Sequence, residues 1–232
     1  MKCQLKIKCK TAVCPASGES WGGFIDNDVV HDELGLPYIP AKRIKGILVE
    51  HALDIAHSLK SLQGIDKSIS YEDQNVYNLF GLQGSKESCP FIIDNAYLSN
   101  HDELSQWLKW AEFGAPMFVS PERVLSLYTS TRTQTAIGSD STNSKEGANM
   151  GGADEHSLRI HRVLRRGLCF YANIEILEEK YLDLLILAVQ VSRHLGLNRN
   201  RGLGWVSMSL IDDSDDPLFK ETSFLEKFKM EA

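Results

Sequence analysis

The chain of 232 residues is predicted to adopt an α+β fold, because segments with strand periodicity and segments with helical periodicity follow one another. Residues 2–13 alternate polar with apolar side chains, which is typical of a half-buried strand. Residues 42–60 place Ile44, Leu48 and Ala52 on one stripe at four-residue steps, which indicates an amphipathic helix. With 43% hydrophobic residues the chain can bury a normal core, so we expect one large domain with insertions.

The middle of the chain continues this mixture of element types. Residues 91–98 form a short mixed run between turn residues and predict a second strand. Residues 102–113 predict a short amphipathic helix in an insertion. Residues 124–133 and 158–177 alternate apolar with polar side chains and predict paired strands.

Two more elements complete the pattern. Residues 178–195 carry a broad apolar stripe and predict a helix that Gly196 ends as its C-cap. Residues 204–211 predict a closing strand. The order strand, helix, strand, strand, helix, strand is that of the split βαβ motif. We therefore expect a ferredoxin-like (RRM-like) core with a helical insertion.

The predicted domain organisation follows from these elements. Residues 1–212 form one domain, with insertions at about 61–120 and a long hairpin at about 124–170. Residues 213–232 form an acidic C-terminal tail, since the end of the chain from Ile211 holds seven acidic residues against three lysines.

Composition excludes several classes of protein. No run of eighteen apolar residues exists and the N-terminus lacks the apolar centre of a signal peptide, so we expect a cytoplasmic protein without a membrane partner. The five cysteines include no Cys-x-x-Cys pair, which argues against a zinc site or a disulfide framework and favours buried thiols. The net charge of −6 argues against general polyanion binding, so the local clustering of positive groups becomes decisive.

One basic cluster lies at the start of the first predicted helix. Ile39 and Pro40 form a rigid turn, followed by Lys42, Arg43 and Lys45. The first amides of a helix are unsatisfied and attract phosphate, and cations beside them strengthen that attraction. The alternative is a solvated first turn, but cations there oppose the helix dipole. The segment predicts a phosphate contact.

The second cluster follows the last predicted helix. The loop 196–204 combines Arg199 and Arg201 with glycines, including Gly202, that allow close backbone approach. Arginine matches phosphate oxygens with two parallel hydrogen bonds and stacks on unpaired bases. A flexible connection with two exposed arginines is the alternative reading of this loop alone.

Taken together, the segments 22–46 and 196–205 resemble the glycine-rich signatures of the RAMP superfamily, the RNA-binding subunits of CRISPR effector complexes. Asn78-Leu-Phe-Gly81, followed by Phe91-Ile-Ile-Asp-Asn-Ala96, is similar to the family's Leu-Phe-Gly segment and following strand. Residues 132–137 and 158–170 resemble the family's thumb, a long hairpin that rises from the central fold. The resemblance covers nearly the whole chain to about residue 212.

Within the superfamily, Gly23 to Asp32 followed by Gly35 to Pro40 looks most like the backbone subunit of type III effectors. The resemblance implies that copies of the chain coat the guide (CRISPR) RNA, that each thumb displaces one nucleotide of the guide and target pairing, and that paired target RNA is cut. It implies other CRISPR effector subunits as partners and Asp26 as the catalytic residue. The family usually has Gly-Ser-Ser after Ile-Pro, whereas this chain has Ala41-Lys42-Arg43.

The chemistry of one carboxylate is compatible with that role. RNA carries its own nucleophile, the 2′-hydroxyl, so the protein has to hold the strand in line and supply a base or a metal ion. Asp26 would hold a divalent metal ion, Mg²⁺ being the expected one, or would take the proton from the hydroxyl. The alternative is that Asp26 and Asn27 are simply turn residues.

The predicted thumb carries the positive run Arg159, Arg162 and Arg165, which we expect to face RNA. Two other functions stay open. One is a RAMP scaffold that binds guide RNA without cutting. The other is a guide-processing endoribonuclease that uses His156 and His161 as acid and base.

Overall fold

The computed structural model of the chain describes residues 1–16, 18, 25–62, 73–81, 84, 89–114, 119–135, 158–212 and 217–218. Its strands are β1 (Lys2–Cys9), β2 (Phe91–Ile93), β3 (Tyr97–Leu98), β4 (Thr129–Gln134), β5 (Arg159–Leu164), β6 (Cys169–Ile176) and β7 (Val206–Ile211). Its α-helices are α1 (Ala41–Leu62), α2 (Asp73–Phe80), α3 (His101–Gly114), α4 (Pro121–Tyr128) and α5 (Leu182–Val191), and a 3-10 turn at Glu179–Tyr181 precedes α5. The helices predicted at 42–60 and 102–113 and the strands predicted at 2–13 and 204–211 are confirmed.

The main sheet is antiparallel and has the order β2-β6-β1-β7, with β3 also paired to β6. In β1 the side chains alternate as predicted, and Leu5 and Ile7 are fully buried. Leu5 lies opposite Ala172 of β6 and Leu210 of β7, which are buried as well. One face of the sheet is therefore the floor of the core, and the predicted α+β class is confirmed.

Helices α1 and α5 contact each other and contribute their apolar stripes to this core. Ile44, Leu48 and Ala52 of α1 are fully buried, as their spacing predicts. Leu184 and Leu185 of α5 join the same cluster. Strands β4 and β5 form a separate two-stranded sheet.

The prediction of a strand from residue 124 is wrong, because residues 121–128 form α4 and the strand begins at Thr129. Ser120 is the N-cap, its Oγ accepting a hydrogen bond from the amide of Arg123 at 3.3 Å, and Pro121 occupies the first turn. A Ser-Pro start of this kind favours a helix and outweighs the short apolar pattern that follows.

The prediction of one strand over residues 158–177 is also wrong. Two strands occupy this range: β5 pairs with β4, whereas β6 lies inside the main sheet. Gly167 separates them with a φ of +90°, and its amide donates to the carbonyl of Cys9 at 2.7 Å. A left-handed glycine lets the chain leave one sheet and enter another, and residue periodicity does not report such a break.

Gly196 is not the C-cap of the last helix, which ends at Val191. Ser192 has the extended ψ of 90° and closes the helix by donating its hydroxyl to the carbonyl of Ala188 at 2.7 Å. Gly196 has a φ of +89° and packs against the backbone of Cys14, where an added Cβ would lie 2.3 Å from the carbonyl oxygen. The absence of a side chain at Gly196 lets two chain segments approach each other closely.

The segment predicted as an insertion, at about 61–120, also contributes strands to the main sheet. It includes β2 and β3, which are strands of the main sheet, whereas α2 and α3 lie outside that sheet. At the start of the predicted tail, the amide of Leu218 donates to the carbonyl of Leu210 at 2.9 Å, which continues the edge of β7. Among the helices described here, none has the length and apolar character needed to cross a membrane.

Candidate nucleic-acid interface

The segment that carries Asp26 lies alongside β5. The amide of Asp26 donates to the carbonyl of Ile160 at 2.8 Å, and the amide of Ile160 donates to Oδ2 of Asp26 at 2.6 Å. The amide of Arg162 donates to the carbonyl of Asn27 at 2.9 Å. Asp26 is exposed, so these bonds hold its carboxylate at the surface of the hairpin and in contact with solvent. The glycines of the motif at 22 and 23 lie outside the described residues.

Two residues after Asp26, Asp28 is almost fully buried and forms an ion pair with Arg162. One guanidinium nitrogen of Arg162 lies 3.1 Å from Oδ1 and 3.0 Å from Oδ2 of Asp28. Oδ1 also accepts the amide of Val29 at 2.7 Å. Arg162, which the sequence placed among the RNA contacts, therefore has an internal partner that fixes the Asp26 segment.

Arg165, another predicted RNA contact, also binds the protein itself. Its Nε donates to the carbonyl of Thr129 at 2.9 Å and its Nη2 donates to the carbonyl of Ser126 at 3.2 Å. These carbonyls lie at the junction of α4 and β4. The side chain thus joins the hairpin to the preceding helix.

A groove of about 1420 Å³ lies between β5 and the loop that follows α5. Asn27, Arg159 and His161 line one side, and Arg199 and Arg201 line the other. The structure therefore brings together three of the predicted arginines and the neighbour of Asp26, although about 40 residues of sequence separate Arg159 from Arg199 and about 170 separate Asn27 from Arg199. The groove is larger than the roughly 300–1,000 Å³ of small-ligand pockets, which suits an extended ligand.

The loop at 196–204 is held by backbone contacts at both ends and carries its arginines between them. The amide of Leu197 donates to the carbonyl of Cys14 at 2.9 Å, and that of Gly204 donates to Ala12 at 2.8 Å. Gly202 has a φ of +77° with no atom within 4 Å of an added Cβ, so it serves the turn itself. Arg199 Nη1 lies 3.3 Å from Oε2 of Glu50 on α1, and both side chains are partly exposed.

Lys42, Arg43 and Lys45 do not line this groove. They lie at the start of α1, and Lys42 is about 12 Å along the helix axis from Glu50 at the groove, from a rise of about 1.5 Å per residue. The amide of Ala41 is capped by Oδ1 of Asn95 at 2.9 Å, a side chain that the sequence did not single out. Lys45 Nζ lies 3.6 Å from Sγ of Cys89, whereas Lys42 and Arg43 are exposed.

His161 and two histidines that the sequence did not single out line the groove. His161 is only 4% exposed, and its Nδ1 lies 3.0 Å from Nδ2 of Asn27, so it positions the segment beside β5. His156 lies outside the described residues. His51 and His194 line the groove, and no sequence pattern indicates them, because each is an isolated imidazole on a different element.

Asp26 is the one predicted metal ligand. In the part of the chain that the structure describes, no three histidine, cysteine, aspartate or glutamate side chains group together as metal ligands. A single exposed carboxylate fits an ion such as Mg²⁺, which keeps several waters and takes its other ligands from substrate phosphates. Asp28, held by Arg162, is not a second candidate ligand.

Two cryo-EM structures share this fold. A chain of a type III-B Cmr-beta complex bound to cognate target RNA aligns with a TM-score of 0.56 and 13% identity, over 90% of this chain and 97% of that chain. A chain of type III-B Cmr-beta in the apo state aligns with a TM-score of 0.56 and 13% identity, over 92% and 98%. No curated protein sequence matches the chain significantly.

The family comparison covers most of the chain. The sequence profile of the RAMP superfamily matches residues 6–207. That range contains both sides of the groove, the Asp26 segment and the basic start of α1. The chain therefore belongs to the RAMP superfamily.

Proposed function

We propose that this chain is a backbone subunit of a type III CRISPR ribonucleoprotein, which binds guide RNA and cleaves paired target RNA at Asp26. Membership of the RAMP superfamily and the fold shared with chains of Cmr-beta complexes support the assembly and its RNA partners. The observation that carries the proposal is the groove in which Arg199 and Arg201 face Arg159 and Asn27, next to Asp26. Positive groups from two remote segments meet there, and the exposed carboxylate of Asp26 belongs to the residue next to Asn27.

Guide RNA binds through Arg159, Arg199 and Arg201 in this proposal. Arginine forks pair with phosphate oxygens, and the glycine turn at Gly202 lets the RNA backbone approach the loop closely. Arg162 and Arg165 act as positioning residues, because their guanidinium groups bind Asp28 and backbone carbonyls. They hold the hairpin on which Arg159 and Asp26 depend.

Lys42, Arg43 and Lys45 form a second phosphate contact on the same RNA strand. The spacing of about 12 Å along α1 corresponds to a few nucleotides at about 3.4 Å per nucleotide of one strand. Because Asn95 already caps Ala41, the side-chain charges of this segment contribute more of the attraction than its free amides do.

The core is proposed to be ferredoxin-like. The strand order β2-β6-β1-β7, with α1 following β1 and α5 preceding β7, agrees with a split βαβ arrangement. The β4–β5 hairpin is proposed as the base of the thumb, whose predicted remainder at 136–157 lies outside the described residues. This arrangement accounts for one hairpin that stands apart from the main sheet.

Asp26 would hold a divalent ion, for which Mg²⁺ is the expected species. Such an ion stabilises negative charge on phosphate oxygens and lowers the pKa of a bound water or hydroxyl. The contribution of the chain is orientation: the amide of Ile160 holds Oδ2, and the buried pair of Asp28 and Arg162 fixes the backbone two residues away. A fixed carboxylate beside a bound strand favours in-line attack by the 2′-hydroxyl.

A scaffold that does not cut is the second candidate function. The observation in its favour is the short hydrogen bond, 2.6 Å, from the amide of Ile160 to Asp26. That bond gives the carboxylate a structural reason to be present, because it satisfies a backbone donor on β5.

Cleavage by the assembled complex distinguishes the two functions. Asp26→Asn keeps an oxygen acceptor for Ile160 but removes the charge, and Glu112→Gln, an exposed carboxylate on α3 that lines neither the groove nor any other described pocket, is the control. We expect Asp26→Asn to lower target cleavage at least about 100-fold with guide binding unchanged. An unchanged cleavage pattern in Asp26→Asn would establish the scaffold, and cutting of precursor RNA by the isolated protein in a chelator would support the histidine mechanism.

A further inference from the structure

The face of the main sheet opposite the core carries the basic side of β1. Lys2, Gln4, Lys6 and Lys8 alternate with the buried residues of that strand and point away from α1 and α5. None of these residues lines the groove at Arg199. Three lysines on one strand need a separate explanation.

The strand register places aromatic rings beside these lysines. Tyr97 of β3 lies directly opposite Tyr171 of β6, and Tyr171 lies directly opposite Lys6 of β1. Lys6 Nζ is 5.6 Å from the centroid of the Tyr171 ring. One row across the sheet therefore reads tyrosine, tyrosine, lysine, on three adjacent strands.

A cleft of about 1240 Å³ opens over Tyr97 and Tyr171, and the lysines of β1 lie beside it, outside its lining. The Tyr38 ring lies 5.5 Å from that of Tyr97 and adds a third aromatic side chain. On the sheet, Gln4 and Asn173 face each other and share a hydrogen bond of 3.1 Å. The wall of the cleft outside the sheet holds one lysine, Lys109, and four carboxylates, those of Asp32, Glu33, Asp102 and Glu103. Asp32 is paired with Nε2 of His101 at 3.0 Å.

We propose that this face is a second nucleic-acid site, which binds unpaired bases of single-stranded RNA against Tyr97 and Tyr171. Aromatic side chains on an open sheet bind bases by stacking. Stacking contributes binding free energy whichever of the four bases is present, because every base has a π-face. The lysines of β1 provide the charge for the phosphates. The site shares no lining residue with the groove, so the two proposed RNA contacts can be tested independently.

The charge pattern fixes the orientation of the strand. Carboxylates on the wall at Glu33 and Asp102 repel phosphate but accept hydrogen bonds from the amino and imino groups of bases. The lysines of β1, which lie beside the cleft and not in its lining, attract phosphate. The bases therefore point toward the wall and the phosphates lie along β1, and the amides of Gln4 and Asn173 contact base edges between them.

The test uses the full chain and a single-stranded heptamer of uridines with 2-aminopurine at its centre, whose fluorescence changes on stacking. Tyr97→Ala and Tyr171→Ala should each weaken binding about 5-fold or more, whereas the Phe variants should stay within about 2-fold of the wild type. Lys6→Gln should lower the slope of log affinity against log salt by about 0.7. Phe113→Ala, whose ring is 93% exposed on α3, is the aromatic control and should bind as the wild type does.

Three results would overturn the site. They are an unchanged fluorescence response in the Tyr97→Ala and Tyr171→Ala double variant, an equal loss in the Phe variants, and a tyrosine-dependent response to an oligo-arginine peptide but not to RNA. An Arg199→Ala and Arg201→Ala double variant separates the two proposals. If it retains guide RNA affinity, the groove proposal fails, while the tyrosine-dependent fluorescence response still measures the sheet face.

Discussion

Arg162 and Asp28 join the segment that bears Asp26 to strand β5 through an ion pair that spans 134 positions of sequence. Asp28 has a side chain only 9% exposed, and that of Arg162 is 24% exposed. A buried carboxylate that loses its counter-charge keeps its desolvation penalty, so the pair controls whether this segment can lie against the hairpin.

We therefore expect Arg162→Met to lower the free energy of unfolding by about 3–5 kcal/mol, because Asp28 would remain buried and unpaired. Adding Asp28→Asn should restore part of that loss, since the buried charge is removed. Urea denaturation of the single and double variants measures both effects. Arg199→Met is the control, since its partly exposed pair with Glu50 should contribute no more than about 1 kcal/mol. Equal losses in Arg162→Met and Arg199→Met would contradict this view of the Asp28 pair.

Gly196 and Gly202 offer a test of why glycine occurs in the arginine loop. Both have positive φ, but an alanine Cβ at 196 would lie 2.3 Å from the carbonyl oxygen of Cys14, whereas at 202 it would meet no atom within 4 Å. Gly202→Ala should cost about 1–2 kcal/mol from the left-handed backbone alone. Gly196→Ala should cost clearly more, because two backbones must move apart. Thermal or urea unfolding compares the two, and similar losses would show that close approach at 196 is unimportant.

The salt dependence of guide RNA binding tests the groove. Each arginine that contacts a phosphate of a single strand contributes about 0.7 to the slope of log affinity against log salt. Arg199→Ala and Arg201→Ala should each reduce the slope by about that amount. Arg123→Ala, on the exposed side of α4 and outside the groove, should leave it unchanged. Slopes that stay equal to the wild type would remove Arg199 and Arg201 from the RNA contacts.

Buried thiols make the fold sensitive to alkali. Burial raises the pKa of Cys9 to about 12 and that of Cys14 to about 11, from an ordinary value of 9.0. A thiol whose pKa is higher in the folded state stabilises that state fully below its unfolded pKa. The contribution is lost as the pH rises through the folded value. Stability should therefore fall between pH 9 and 12.

Cys14→Ala isolates this effect from other groups that titrate in alkali. The urea midpoint of the variant should decline less steeply above pH 9 than that of the wild type. Thiol alkylation in the folded state should reach Cys89 and Cys169, which are partly exposed, before Cys9 and Cys14. Rapid modification of Cys14 at neutral pH would be inconsistent with its burial.

Local pattern was enough to predict several elements. Helix α1 follows from the spacing of Ile44, Leu48 and Ala52, and β1 follows from strict alternation, because each pattern states which side of the element is buried. The same reasoning failed at Val124 and at Gly167. In the first case a Ser-Pro helix start outweighed the apolar alternation, and in the second a left-handed turn divided one apolar run between two sheets.

The candidate residues of the site could be named from the sequence, but their arrangement in space could not. Motif resemblance identified Asp26, Arg159, Arg199 and Arg201, and the structure places the three arginines along one groove beside the Asp26 segment. The motif resemblance did not indicate that Arg162 binds Asp28. An arginine side chain is equally suited to an internal ion pair and to an RNA contact. Which of the two roles it takes depends on its neighbours in space.

By itself, the sequence determined the α+β class, the family resemblance and the candidate RNA contacts, because periodicity and residue chemistry are local properties. Tertiary structure decided which cations are available, where Lys42 and Arg43 lie relative to Arg199, and that Tyr97, Tyr171 and Lys6 form one row. Those relations depend on strand register and on contacts between segments far apart in the chain. They come from the packing of a shared core, which the order of residues along the chain does not display.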